Sequence, residues 1–301
     1  MKNQSYKHSK TSAKATALPV VHPTNKVSDL CHSVNSLSFS RWFSELPIVW
    51  ICLFLAAVSL YPTFVYANNE SGAANPWETL VKWIPVLLTK GFSQNLLISF
   101  FTMLFGSLFG VVLGMGQISI HSWLRKICYL ITQLFRNSPW LVLLFIIMLS
   151  LPFQIEIGGV TIDIPDWYKA VIGLALPIMA NISEIVRGAI QSVPNGQWEA
   201  SESLAFTRMQ TLWRVILPQI VKRMIPPWMN WYAILAMATP LVSILGVDEL
   251  VTMSRQAMEA ESNDPALLVP FYSFCLFIFF VYTYPIARLT IRLEKKYAVK
   301  L

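Results

Sequence analysis

Ser192 to Pro218 reads S-V-P-N-G-Q-W-E-A-S-E-S-L-A-F-T-R-M-Q-T-L-W-R-V-I-L-P, a polar, helix-compatible interval set between two long apolar runs. The run before it, Lys169 to Gly188, and the run after it, Pro226 to Val247, each approach the ~20 residues needed to cross a hydrocarbon core. The interval therefore lies at a membrane face. Composition supports this reading: 55% of the 301 residues are hydrophobic and 13% charged, against about 25% charged in soluble domains. The chain reads as an all-α integral membrane protein. Its net charge of +7 does not point to nucleic acid, because the basic residues form no single stripe with interleaved aromatics. Cys31, Cys52, Cys128 and Cys275 form no C-x-x-C pair and join no histidine cluster, so no metal or redox site is expected.

Upstream of the opening stretch, the span Lys169–Gly188 carries Asn181, Glu184 and Arg187 toward its far end. Before it, Pro152 to Trp167 reads as an acidic loop with Glu156, Asp163 and Asp166. A further span, Ile127 to Leu151, is interrupted by Arg136-Asn137-Ser138-Pro139. An arginine at membrane depth costs at least ~2.5 kcal/mol, so Arg136 should face protein, water or ligand. Gly106, Gly110 and Gly114 in the run Gly91–Gly116 form a small-x-x-x-small ladder suited to close helix packing within the chain. Residues 68 to 90 read as an interfacial segment anchored by Trp77 and Trp83. Residues 47–67 form an N-terminal transmembrane anchor; Val65-Tyr66-Ala67 also fits a signal-peptidase site, although the long leader favours an uncleaved anchor. Residues 1–46 have the composition of a disordered tail.

Downstream, residues 248 to 265 read as a second acidic loop, followed by a last span, Ala266 to Leu289, and a basic tail. About six spans result. Eighteen of the 23 lysines and arginines fall on the side of the opening stretch and both termini, and three on the other. The positive-inside rule makes that side cytoplasmic.

Within the stretch, Asn195 is placed to cap a helix starting at Gln197, with Glu199 and Glu202 in its early turns, where the helix dipole favours carboxylates. Ala200, Ser201 and Ala205 keep part of the surface small, Thr207 and Thr211 bracket a second short turn, and Leu217-Pro218 ends the interval. Such a helix suits a groove on a partner protein; lying on the lipid headgroups is the alternative the residues leave open.

The spacing resembles the inner-membrane permease subunits of binding-protein-dependent ABC importers, in the branch for polar amino acids. Their signature is E-A-A-x-x-x-G, nine residues, then I-x-L-P. Here Glu199-Ala200-Ser201, Ala205 at the glycine position, Val215 at the isoleucine position and Leu217-Pro218 match it in register. Glu184-Ile185-Val186-Arg187-Gly188 and the R-N-S-P-W-L-V run from Arg136 are similar to further landmarks of that branch. The resemblance covers about residues 91–290. It implies a five-helix permease core preceded by the extra N-terminal span. Residues 192–218 then form a cytoplasmic coupling loop, with Glu199, Ala200, Ser201, Ala205, Leu217 and Pro218 serving ATPase coupling.

The resemblance further implies a location in the bacterial inner membrane and a C-terminus in the cytoplasm. The implied partners are two ATP-binding subunits that hold ATP and magnesium, a second permease subunit, a periplasmic solute-binding protein and the lipid bilayer, with no nucleic acid. No cofactor is expected in this chain, and no Walker-type phosphate loop occurs in it. Ala205, replacing the usual glycine, favours a continuous helix where the family often bends. Met237-Ala238-Thr239-Pro240-Leu241 stands where many relatives have K-D-T-S-L, so the charged pair expected beside the path is missing.

For the substrate path the candidates are Arg136, Ser138, Asn181, Glu184 and Thr239, polar groups at or near membrane depth. Each has an ordinary structural role open to it, such as a Glu184–Arg187 pair at i, i+3. An arginine suits a carboxylate through a bidentate contact. Two other classes compete: an ion- or proton-coupled secondary carrier acting without an ATPase, which predicts inverted repeats that the sequence does not show, and an intramembrane enzyme. All four histidines, His8, His22, His32 and His121, lie outside the spans, which argues against the enzyme.

Overall fold

The structure is a computed structural model that describes residues 75–157 and 159–297. The expected tail (1–46), the expected anchor (47–67) and the alternative of cleavage after Ala67 fall outside the described residues. Among these, four helices are long and apolar enough to cross a membrane, and a fifth crossing results if one bent helix pair is counted.

The first crossing is longer than the sequence suggests. Helix α1, Pro76–Val86, runs through a wide turn at Leu87–Phe92 into α2, Ser93–Gln117, giving 42 continuous residues. What reads as an interfacial segment is therefore helix from Pro76 onward. Asn75 caps it, its Oδ1 accepting from the Trp77 amide at 3.1 Å. Pro85 lacks an N–H, and two residues later the backbone widens into π geometry; Thr89 Oγ1 donates to the Pro85 carbonyl at 2.6 Å.

Helices α3, Ser122–Arg136, and α4, Trp140–Ser150, meet at 101° across Asn137–Pro139, so the interrupted span is broken outright. Pro139 cannot continue the hydrogen-bond ladder, and the Asn137 and Ser138 side chains donate to the Gln133 and Leu134 carbonyls at 2.7 and 2.6 Å, satisfying the end of α3. The acidic loop that follows is an antiparallel hairpin of β1, Gln154–Ile157, and β2, Val160–Asp163, in which Gln154 faces Asp163. Alternating Ile and Thr residues favour strands, and Gly159 supplies the left-handed turn at φ +84°.

Helix α5, Asp166–Gln191, is the axis of the bundle and, at about 1.5 Å per residue, is longer than the ~30 Å hydrocarbon core. The glycine ladder of α2 lies along it. Cβ atoms added at Gly106, Gly110 and Gly114 would come within 2.5, 2.7 and 2.7 Å of Ile178, Ile182 and Val186, respectively. Matching four-residue spacings in the same order make the two helices parallel, and the packing within the chain is as expected.

Beyond α5 come α6, Asn195–Ser203, and α7, Arg208–Thr211, then a wide turn at Leu212–Ile216 leading into α8, Leu217–Ala238. Arg208 to Leu245 is one continuous helical stretch of 38 residues, so Leu217-Pro218 lies inside the next crossing rather than closing the interval; the wide turn just before Pro218, where the Leu217 amide donates to the Leu212 carbonyl, accommodates the N–H that the proline lacks. Helix α8 tightens into a 3₁₀ segment, Thr239–Leu245, that stops at Gly246 with φ +80°. The second acidic loop is largely helix α9, Leu250–Ala260, and α10, Leu268–Tyr297, completes the described chain. Two apolar clusters result: one around α5 from Ile98 to Val247, and one joining α1, α9 and α10 through Leu80, Leu250 and Phe271.

Candidate functional site: the loop between α5 and α8

The chain leaves α5 through Ser192 and Pro194, and α6 begins at Asn195, two residues earlier than the cap reading suggests, with no side-chain cap. Glu199 therefore sits in the second turn, and no carboxylate occupies the first. Two anchors hold the loop to the bundle. Arg223 Nη1 of α8 donates to the Ser192 carbonyl and hydroxyl at 3.1 and 2.9 Å, and Trp198 packs on the core beside buried Val193. Ser201 faces inward, its hydroxyl donating to the Gln197 carbonyl at 2.7 Å. Glu199, Ala200, Glu202 and Leu204 face outward, Leu204 with 70% of its surface exposed.

The helix does not continue through Ala205. The Phe206 amide donates to the Ser201 carbonyl at 3.1 Å and the Ala205 amide to Glu202 at 2.8 Å, the paired bonds of a Schellman turn. Ala205 takes φ +57°, a left-handed conformation that costs an L residue about 1 kcal/mol and a glycine almost nothing. The expectation of a continuous helix is corrected: with Ser201 and Trp198 facing the bundle, the termination bonds impose the bend and the alanine accepts the strain. Thr207 then opens α7 with a capping box, its hydroxyl accepting from the Gln210 amide at 3.3 Å while Gln210 Oε1 accepts from the Thr207 amide at 2.9 Å. Leu217 is half-buried and Pro218 exposed at the start of α8, on a different element from Glu199, Ala200 and Ser201.

The membrane-depth candidates separate into two groups. Arg136 Nη1 lies 3.6 Å from Glu184 Oε2, with Arg136 46% and Glu184 14% exposed. Glu184 is also clasped by Arg187, at 3.3 Å from Nε and 2.6 Å from Nη2. Two guanidinium groups thus share one carboxylate, leaving a net positive charge with Arg136 open on one side. Asn181, one turn earlier, spends its Nδ2 on the Pro177 carbonyl, and Ser138 its hydroxyl on Leu134. Thr239 belongs instead to a closed cluster: it accepts from Asn95 Nδ2 at 3.1 Å and donates to the Ala236 carbonyl.

That cluster contains a residue the sequence reading passes over. Glu249 is fully buried; its Oε2 accepts from Asn95 at 2.9 Å and its Oε1 from the Thr252 amide at 2.9 Å, while Asn95 Oδ1 accepts from the Leu250 amide. Burial pushes the Glu249 carboxyl above its ordinary range, against the lowering effect of these hydrogen bonds. A second buried group, Gln117, Thr132 and Ser183, links α2, α3 and α5 with distances of 3.0 to 3.1 Å. A polar residue capping an acidic-looking loop was the available signal for Glu249; nothing local marks Asn95 as its partner 154 residues away. No grouping of three or more metal-ligating side chains occurs among the described residues.

Residues 106–296 match the family described as binding-protein-dependent transport system inner membrane component. The chain is 32% identical over 210 residues to the L-cystine transport system permease protein TcyB of Bacillus subtilis, covering 70% of this chain and 86% of that one. It is 27% identical over 207 residues to a probable glutamine ABC transporter permease protein, GlnP, of the same organism, covering 69% and 92%. Among solved structures, a chain of an amino acid ABC transporter superposes with a TM-score of 0.62 at 24% identity, covering 73% of this chain and 98% of that one. A chain of the inward-facing MetNI methionine ABC transporter gives 0.56 at 19%, covering 72% and 98%.

Proposed function

Since the chain belongs to the binding-protein-dependent transport system inner membrane components, we propose that its α6–α7 loop couples the bundle to two ATPase subunits during import of a polar amino acid. The chain is the membrane-spanning permease subunit of an amino-acid ABC importer, and ATP hydrolysis lies in separate subunits. Family membership implies ATPase and solute-binding-protein partners and an inner-membrane location. Two ATPases holding ATP and magnesium, a second permease subunit, and cytoplasmic placement of the loop and C-terminus complete the proposed assembly.

The observation that carries the coupling role is the orientation of α6. Ser201 and Trp198 tie it to the bundle, while Glu199, Ala200, Glu202 and Leu204 present a compact surface of two carboxylates, one methyl group and one bulky apolar side chain outward. That face fits a cleft lined by basic and apolar groups. The Schellman turn at Ala205 and the capping box at Thr207 fix the corner, so displacement of α6 is passed on through α7 and Leu217-Pro218 to α8. ATP-driven closure transmits work only if the ATPase binds the two permease conformations with different free energies.

For the solute, the Arg136–Glu184–Arg187 group supplies surplus positive charge toward a carboxylate, with Ser138, Asn181 and Thr239 as secondary polar candidates whose donors are occupied by backbone carbonyls. Co-purification with the products of neighbouring genes, followed by ATP hydrolysis with and without the binding protein and candidate amino acids, tests the assignment. Glu199→Lys should leave membrane insertion intact while ATPase co-purification and uptake fall by about tenfold or more, the cost of placing a like charge against a charged partner. Intact assembly and uptake in this variant would falsify the coupling role.

A further inference from the structure

A groove of about 820 Å³ opens where the end of α2, the start of α3 and the α7 turn meet. One end is polar. Ser119 and His121 form the α2–α3 turn, and Arg208 reaches the same turn, its Nη2 3.5 Å from the Ile118 carbonyl. From there Phe109, Val112 and Leu113 of α2 and Leu124 and Ile131 of α3 carry apolar walls away from the mouth. At 1.5 Å per residue, Phe109 lies about 13 Å along the helix from Ile118. Phe109 and Val112 are more than half exposed. Arg125 and Lys126, both exposed, stand on the next turn of α3.

We propose that this groove binds one anionic phospholipid of the cytoplasmic leaflet, with the phosphate at Arg208 and His121 and an acyl chain along Val112 and Leu113. The polarity gradient is that of a lipid, and basic pockets between helices on the cytoplasmic side select anionic headgroups. The charge disfavours a zwitterionic lipid such as phosphatidylcholine, whose choline cation offsets its phosphate. Four of the wall residues, Arg208, Met209, Leu212 and Trp213, belong to the segment that follows α6. A bound anionic lipid therefore fixes the position of α7 and links leaflet composition to the coupling loop. The inference rests on the cytoplasmic placement of that loop and is independent of which solute is carried.

Native mass spectrometry of the full chain from detergent micelles, supplied with phosphatidylglycerol or phosphatidylcholine of identical acyl chains, tests it. One phosphatidylglycerol should be retained with about fivefold preference, the effect of one basic residue near an anionic headgroup. Arg208→Gln should remove the preference and Arg208→Lys restore most of it, while Val112→Trp, filling the apolar end, should abolish retention with Arg208 still present. Equal retention of both lipids, or phosphatidylglycerol retention unchanged by Arg208→Gln and Val112→Trp, overturns the proposal. So does efficient cross-linking of Val112→Cys in native membranes to Cys52 or to a second copy, since the groove would then be covered by protein. ATPase and uptake assays read the importer assignment separately, so failure of the lipid site leaves that assignment untouched.

Discussion

The seam between α2 and α5 and the loop between α5 and α8 are built by opposite means. Along the seam, three glycines let the backbone of α2 meet Ile178, Ile182 and Val186 directly, and the polar groups at its ends, Gln117 with Ser183 and Asn95 with Glu249, find partners inside the bundle. In a bilayer, where burial from water contributes little between helices, such close van der Waals packing and internal hydrogen bonds supply the cohesion. The loop does the reverse: α6 turns Ser201 and Trp198 inward but leaves Glu199, Ala200 and Leu204 without partners within the described chain. The contrast separates a region whose contacts lie inside the bundle from one whose outward face meets nothing among the described residues.

The seam is where the largest effect is expected. Gly110→Leu places a branched side chain where even a Cβ would lie 2.9 Å from the Met179 carbonyl and 2.7 Å from Ile182. Overpacking costs about 1–3 kcal/mol where neighbours can shift, and here a backbone atom must move, so folded yield by size-exclusion chromatography should collapse. Normal yield would show that the two helices are not held at this distance. At the seam's end, Glu249→Gln should flatten stability as a function of pH. The folded state holds the Glu249 proton more tightly than the unfolded chain does. Its contribution is therefore fully present below the ordinary carboxylate pKa and declines as pH rises through the raised value. Thermal melts of both chains across that window check the sign; a wild-type profile that rises instead would mean the carboxylate is stabilised as an anion.

The smallest effect belongs to the loop. Ala205→Gly should remove about 1 kcal/mol of left-handed strain, read as slower amide exchange at Ala205 and Phe206. The corner of α6 would become more ordered with the seam unchanged. Faster exchange at these amides would show that the alanine conformation carries no cost.

Much of this was legible in the residues. The glycine spacing announced a close helix contact, Pro139 after Arg136 announced the break between α3 and α4, and the polar interval announced short helices between two crossings. Other features were not legible because their causes are nonlocal. Residues 248 to 265 have the composition of an exposed acidic loop, yet Glu249 is buried because Asn95, distant in sequence, is there to hold it. The Ala205 bend was hidden for a different reason: alanine favours helix intrinsically, and only the seating of Trp198 and Ser201 on the bundle makes termination the better solution.

The sequence by itself determined the apolar spans, the side on which the basic residues gather and the register of the loop, since these follow from hydropathy, charge and spacing along one chain. Tertiary structure alone decided which polar groups close on one another and which face remains open. Arg136 meets Glu184 and Asn95 meets Glu249 only after α3, α5, α2 and α9 have packed. Such pairings depend on which helices become neighbours, a property of the bundle that no single stretch contains.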